Sequence, residues 1–148
     1  MMDAAIIGVV GTLAGAFIGF WGAMKAARFQ NFFSSGTNLK NAFLEVLVLL
    51  RQPEETFIDL YVIDIMEKSF HKHEMAVVEF RYSLPVYKRI DFDNAWRNYY
   101  ESENEGETIL TKKYFGHPNW QDEALSNIEA ILEFTDCAAF SIWNRKIF

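Results

Sequence analysis

Short segments in the second half of the chain place cationic side chains next to aromatic ones. The residues concerned are Arg81, Lys88, Arg89, Arg97, Tyr99, Tyr100, Lys112 and Lys113. Aromatic rings stack on nucleobases and cations pair with phosphates, so this combination is typical of surfaces that bind single-stranded nucleic acid. These residues are therefore candidates for binding an anionic ligand. The alternative is ordinary packing, in which the rings fill a core and the cationic stems run along its edge.

Three residues could by their type bind a metal ion, namely His71, His73 and Glu74. Residues two apart on a helix point about 200° away from each other, whereas a helical metal-binding pair needs i, i+4 spacing. We therefore predict that His73 is a hydrogen-bonded core or interface histidine. Cys137 has no base beside it in the sequence, and no nucleophile motif or phosphate loop occurs. We expect no metal, no cofactor and no enzymatic activity.

Glycines near the start of the chain have helical spacing. They are Gly8, Gly11, Gly15, Gly19 and Gly22. At about 100° per residue they fall within an arc of about 80°, and bulky apolar residues occupy the opposite face. Small-residue stripes allow helices to pack closely in lipid. We predict a homo-oligomeric helix seam with Thr12 as the pore-lining candidate. A passive anchor is the alternative.

The glycines belong to an apolar segment, residues 4–24, which contains no charge and no proline. As a helix it would measure about 31 Å, close to the thickness of a bilayer core. We predict a transmembrane helix over residues 4–24, with room to continue to about residue 33. The segment from Lys25 to Leu44 holds basic but no acidic residues. The positive-inside rule then places the amino terminus outside and the remaining chain in the cytoplasm of a bacterial inner membrane.

The rest of the chain, residues 37–148, is predicted to be a small cytoplasmic helical bundle. Residues 34–37 resemble a turn with an N-cap, and residues 57–63 suit either a strand or a helix, with helix preferred. The predicted helices are residues 38–52, 59–84, 92–100 and one that begins near residue 119. Asp91 or Asp93 could cap the third helix. One stripe of the second helix recurs at intervals of three or four residues, namely Ile63, Met66, Phe70, His73, Val77, Phe80 and Leu84. The fold class is therefore all-α. A net charge of -6 argues against a protein that coats nucleic acid, and an aromatic share of 16% argues against disorder.

A glycine-striped span over residues 4–24, followed by a helical domain without a catalytic motif, resembles the small single-span membrane effectors of bacterial anti-phage loci. In its overall plan the chain is most similar to the transmembrane effector of Hailong-type systems. The resemblance implies an oligomeric channel that single-stranded DNA oligomers hold shut, and a partner nucleotidyltransferase that makes those oligomers. It also implies that the cytoplasmic domain senses this ligand.

These observations lead to competing hypotheses. The first is a homo-oligomeric membrane effector, either a ligand-gated ion channel or a membrane-disrupting pore. Its partners would be membrane lipid, further copies of itself, single-stranded DNA or another anionic ligand, and a co-encoded protein. The second is a membrane-tethered adaptor with no pore. A third, a phage lysis accessory, would require the bulk of the chain to face outward.

Overall fold

The computed structural model describes residues 3–52, 59–101, 110–114 and 118–136. Their elements, in chain order, are α1 (Asp3–Leu50), α2 (Asp59–Ser83), α3 (Val86–Tyr100), α4 (Leu110–Tyr114) and α5 (Trp120–Glu133). This part of the chain contains no strand, which confirms the all-α prediction. In the ambiguous segment 57–63, residues from Asp59 onward are helical, whereas Phe57 and Ile58 lie outside the described residues.

The first helix, α1, runs without a break for 48 residues, a length of about 72 Å. The predicted turn at residues 34–37 is therefore wrong. Ser35 Oγ donates to the carbonyl of Asn31 at 2.7 Å, so its hydroxyl is satisfied inside the helix. A Cβ at Gly36 would lie 3.4 Å from Phe80 and 3.6 Å from Thr135. Gly36 thus permits close packing against neighbouring helices instead of ending α1.

Burial divides α1 into two parts. Every side chain described between residues 11 and 31 is exposed, and burial begins at Phe32. Among the described residues, no helix combines the length and the apolar character that crossing a bilayer requires. The predicted span also includes residues 4–10 and Ala14, whose side chains lie outside the described part of the chain. Gly8 of the predicted seam is one of them.

The second part of α1 packs antiparallel to α2. Phe32 meets Phe80 with ring centroids 5.4 Å apart, and further along α1 Phe43 stacks on His73 at 4.1 Å. The stripe predicted for α2 is confirmed. Phe70 packs against the core, and the other members of the stripe are buried, namely Ile63, Met66, His73, Val77, Phe80 and Leu84. The carboxy-terminal end of α2 therefore lies beside the point where α1 leaves the bundle.

The remaining helices close the core. Phe92 of α3 contacts Phe134, just after α5, with ring centroids 5.4 Å apart. Helix α3 begins directly after Pro85, six residues earlier than predicted. Pro85 ends α2, and its φ of -56° suits the start of the next helix. The proposed capping role of Asp91 or Asp93 is consequently wrong, because both lie inside α3.

Helix α5 begins at Trp120, as predicted, with Asp122 and Glu123 in its first turn, where acids favour the helix dipole. The short helix α4 was not predicted. Tyr114 of α4 is buried, and its hydroxyl donates to the carbonyl of Tyr99 at 2.7 Å.

Candidate functional site

The predicted ligand-binding residues do not form one surface. Arg81 makes two hydrogen bonds to Asp93, from Nε at 2.6 Å and from Nη2 at 2.8 Å. The hydrogen bonds from Arg81 lower the pKa of Asp93, and the same contact raises the pKa of Arg81. Each partner offsets the charge of the other, so this pair joins α2 to α3 and leaves little net charge for a ligand.

Tyr99 is fully buried, so its predicted ligand contact is not supported. Its hydroxyl lies 3.2 Å from Nδ1 of His73, and burial raises its pKa above the usual value. Lys113 donates to the carbonyl of Asn98 and lies 5.4 Å from the ring centre of Tyr114. The side chain of Lys112 lies outside the described residues.

Arg97 and Tyr100 remain at the surface, at the carboxy-terminal end of α3. Arg97 is exposed, and its Nη2 donates to Asn94 Oδ1 at 2.7 Å. Tyr100 is half-buried and lies 5.1 Å from Trp96, which itself stacks on Phe70 at 5.5 Å. Burial and Glu101 raise the pKa of Tyr100, whereas Arg97 lowers it, so a cation and an acid both lie near this partly exposed ring. A ring beside a cation can stack on a nucleobase while the cation meets a phosphate. We call Trp96, Arg97 and Tyr100 the α3 terminal site.

Lys88 and Arg89 lie at the other end of α3. Lys88 Nζ is 6.0 Å from the ring centre of Phe134. Arg89 Nε donates to the carbonyl of Leu84 at 3.1 Å, and Nη2 donates to that of Tyr82 at 3.3 Å. The Tyr82 carbonyl belongs to the last turn of α2, and Leu84 directly follows that helix, so neither carbonyl has a partner within the helix. Lys88 and Arg89 precede Arg97 by eight or nine residues of α3, which is about 12–14 Å along the helix axis.

His73 and His71 face opposite directions, as the helical geometry predicts. The His73 ring is fully buried, whereas the His71 side chain is 83% exposed and lies 3.6 Å from Glu74. The prediction of a hydrogen-bonded core histidine at His73 is confirmed. Within the described residues its Nε2 has no hydrogen-bond partner, and burial lowers the pKa of His73 to about 4.

The described glycines of the seam face open space. A Cβ at Gly11, Gly15, Gly19 or Gly22 would have no atom within 4 Å. Packing within one chain therefore does not explain why these positions lack side chains. Leu13, Phe17, Phe20 and Met24 stand exposed on the opposite face of α1, and Thr12 is also exposed.

Comparison with protein-family models, with curated proteins and with solved structures found no match. The function is therefore argued from the geometry of the chain.

Proposed function

We propose that the protein is a homo-oligomeric membrane effector whose transmembrane helices pack along the glycine seam. The first part of α1, residues 4–24, inserts into the bacterial inner membrane, with the amino terminus outside and the bundle in the cytoplasm. The observation that carries the proposal is the described first part of α1. It exposes glycines on one face and large apolar side chains on the other, and every side chain described between residues 11 and 31 is exposed.

The cost of leaving this face in water supports the proposal. The exposed apolar residues there are Leu13, Phe17, Ile18, Phe20, Trp21 and Met24. Burial of one such side chain is worth about 1.5–3 kcal/mol, so covering all of them is worth on the order of 10 kcal/mol. That sum matches the whole stability of a typical domain. A bilayer covers the bulky face, and another copy covers the seam.

The continuity of α1 supports a channel or pore in place of a passive anchor. One helix carries both the proposed span and the core residues Phe32 to Leu50. A rotation of the bundle would therefore turn the span, since no flexible joint separates them. Glycine, alanine and Thr12 would line a narrow, largely apolar pore, which opens by wetting.

The α3 terminal site supports a regulatory anion as the ligand. Single-stranded DNA oligomers suit it, because bases stack on Trp96 and Tyr100 while Arg97 meets a phosphate. The similarity in plan to Hailong-type effectors gives the biological setting, which is anti-phage defence with a co-encoded partner. The function proposed is binding and gating, not catalysis.

Ion flux from liposomes tests the proposal. Full-length protein should release a trapped ion, and Gly15→Leu should reduce the rate by tenfold or more because the added side chain separates the helices. The matched control is Phe20→Leu, which places the same leucine side chain on the bulky face opposite the seam. Equal flux from Gly15→Leu and wild type would refute the seam, and absence of flux in every variant would favour a tethered adaptor.

A further inference from the structure

The corner between α2 and α3 exposes a second group of apolar side chains. They are Tyr82, Val86, Tyr87 and Ile90, which are 54–74% exposed. Tyr82, Val86 and Ile90 follow each other at intervals of four residues. We call these four residues the corner patch. Pro85 forms the corner itself, and the chain turns back there from α2 into α3.

The corner patch lies at the end of the bundle from which the first part of α1 projects. A cleft of about 550 Å³ separates it from α1, and its walls include Arg28, Asn31, Tyr82, Tyr87 and Arg89. Arg28 follows the proposed span by four residues, which is about 6 Å along a helix. The headgroup layer of a bilayer is about 5–8 Å thick on each side. The cleft therefore lies at headgroup depth if residues 4–24 cross the membrane.

The segments that form this end of the bundle are basic. The chain as a whole carries a net charge of -6, but residues 25–44 and residues 81–90 contain no acid. The second segment supplies Arg81, Lys88 and Arg89; Asp93, which follows it, pairs with Arg81 at contact distance and also interacts electrostatically with Arg89. The two carbonyls that hold Arg89 occupy two of the five N–H groups of its guanidinium. The remaining N–H groups suit the oxygens of a phosphate.

We propose that the corner patch docks on anionic phospholipid headgroups of the membrane that α1 crosses. Arg28 and Arg89 bind lipid phosphate in the cleft, while the corner patch enters the boundary between headgroups and acyl chains. Tyrosine beside cations is the composition that such an interface favours. This inference rests on the proposed membrane insertion of α1. Docking would hold the bundle against the bilayer and fix the angle at which α1 enters it.

Labelling of single cysteines in full-length protein, in a Cys137→Ser background, tests the proposal. A fluorescent dye at Ile90→Cys reports the corner, and a dye at Leu13→Cys reports insertion of α1. The matched control is Val48→Cys, an exposed apolar position on α1, about 30 Å along the helix from Arg28. The protein is reconstituted in neutral vesicles or in vesicles with anionic phosphatidylglycerol, with a quencher attached to the headgroup for residues 48 and 90 and to the acyl chain for residue 13.

The expected result is quenching at residues 13 and 90 but not at residue 48, with quenching at residue 90 dependent on anionic lipid. Arg28→Gln with Arg89→Gln should weaken the anionic-lipid dependence by about fivefold per cation removed. Quenching at residue 13 without quenching at residue 90 would overturn the docking and leave the insertion intact. Absence of quenching at both positions would overturn both. Protection of the dye at residue 90 by added protein in lipid-free detergent would assign the corner to a second copy instead.

Discussion

Acid should destabilise the bundle through His73. The ring is fully buried between α1 and α2, stacked on Phe43, and its pKa is lowered to about 4 from 6.5. Between these values the unfolded chain binds a proton that the folded chain does not. Stability is therefore fully present above pH 6.5 and is lost as the pH falls through the folded-state pKa.

The size of this effect follows from the difference between the His73 pKa in the folded chain and that in the unfolded chain. One pKa unit corresponds to 1.36 kcal/mol, so the full loss is about 3 kcal/mol below pH 4. Between pH 7 and pH 5 the expected loss is about 2 kcal/mol. The main source is desolvation, because the charged imidazolium would be enclosed by rings, and the backbone of Ala42, which raises the pKa, offsets only part of it.

Urea unfolding of the full chain in a fixed detergent, at several pH values from 7 to 5, measures this loss. His73→Gln should start less stable at pH 7, because the stacked ring is lost, but its stability should vary less with pH than that of wild type. His71→Gln is the matched control and should keep the wild-type dependence, since His71 is exposed. If the dependence on pH is the same in His73→Gln and wild type, the burial argument fails.

Further predictions concern packing, pairing and ligand binding. Gly36→Leu should cost about 1–3 kcal/mol of unfolding free energy by clashing with Phe80 of α2, whereas Val48→Leu, at an exposed position of the same helix, should cost nothing measurable. A double-mutant cycle on Arg81→Ala and Asp93→Ala should give a coupling of about 1 kcal/mol or less, because both side chains remain partly exposed; a coupling several times larger would contradict this. Arg97→Ala should weaken binding to single-stranded DNA and reduce the slope of log affinity against log salt concentration by about 1. Unchanged binding would show that the α3 terminal site does not contact the DNA.

The positions of the buried residues on α2 were predictable because their spacing follows one helical face. From Ile63 to Leu84 each member of the stripe recurs at three or four residues, and Pro85 marks the end. Such regularity is local, so the sequence alone reveals it. The same holds for the acidic first turn of α5.

The errors concern residues whose role depends on a distant neighbour. Gly36 was predicted to lie in a turn because glycine favours turns, but its lack of a side chain leaves space for Phe80. Arg81 suggested a ligand contact, but Asp93 comes beside it only because α3 folds back after Pro85. The sequence did not show which of Tyr99 and Tyr100 is buried, because the burial of Tyr99 depends on its contact with His73 of another helix. The absence of acids from residues 81–90 was also visible in the sequence and, together with that of residues 25–44, would have indicated the basic end of the bundle.

The central claim is that the first part of α1 associates with other copies of itself in the membrane. Native mass spectrometry from mild detergent tests it, with the full chain compared with a variant that lacks residues 2–24. The full chain should give a discrete multiple of 17.2 kDa, and the shortened variant should lose that assembly. A full chain that remains monomeric in mild detergent would contradict the account.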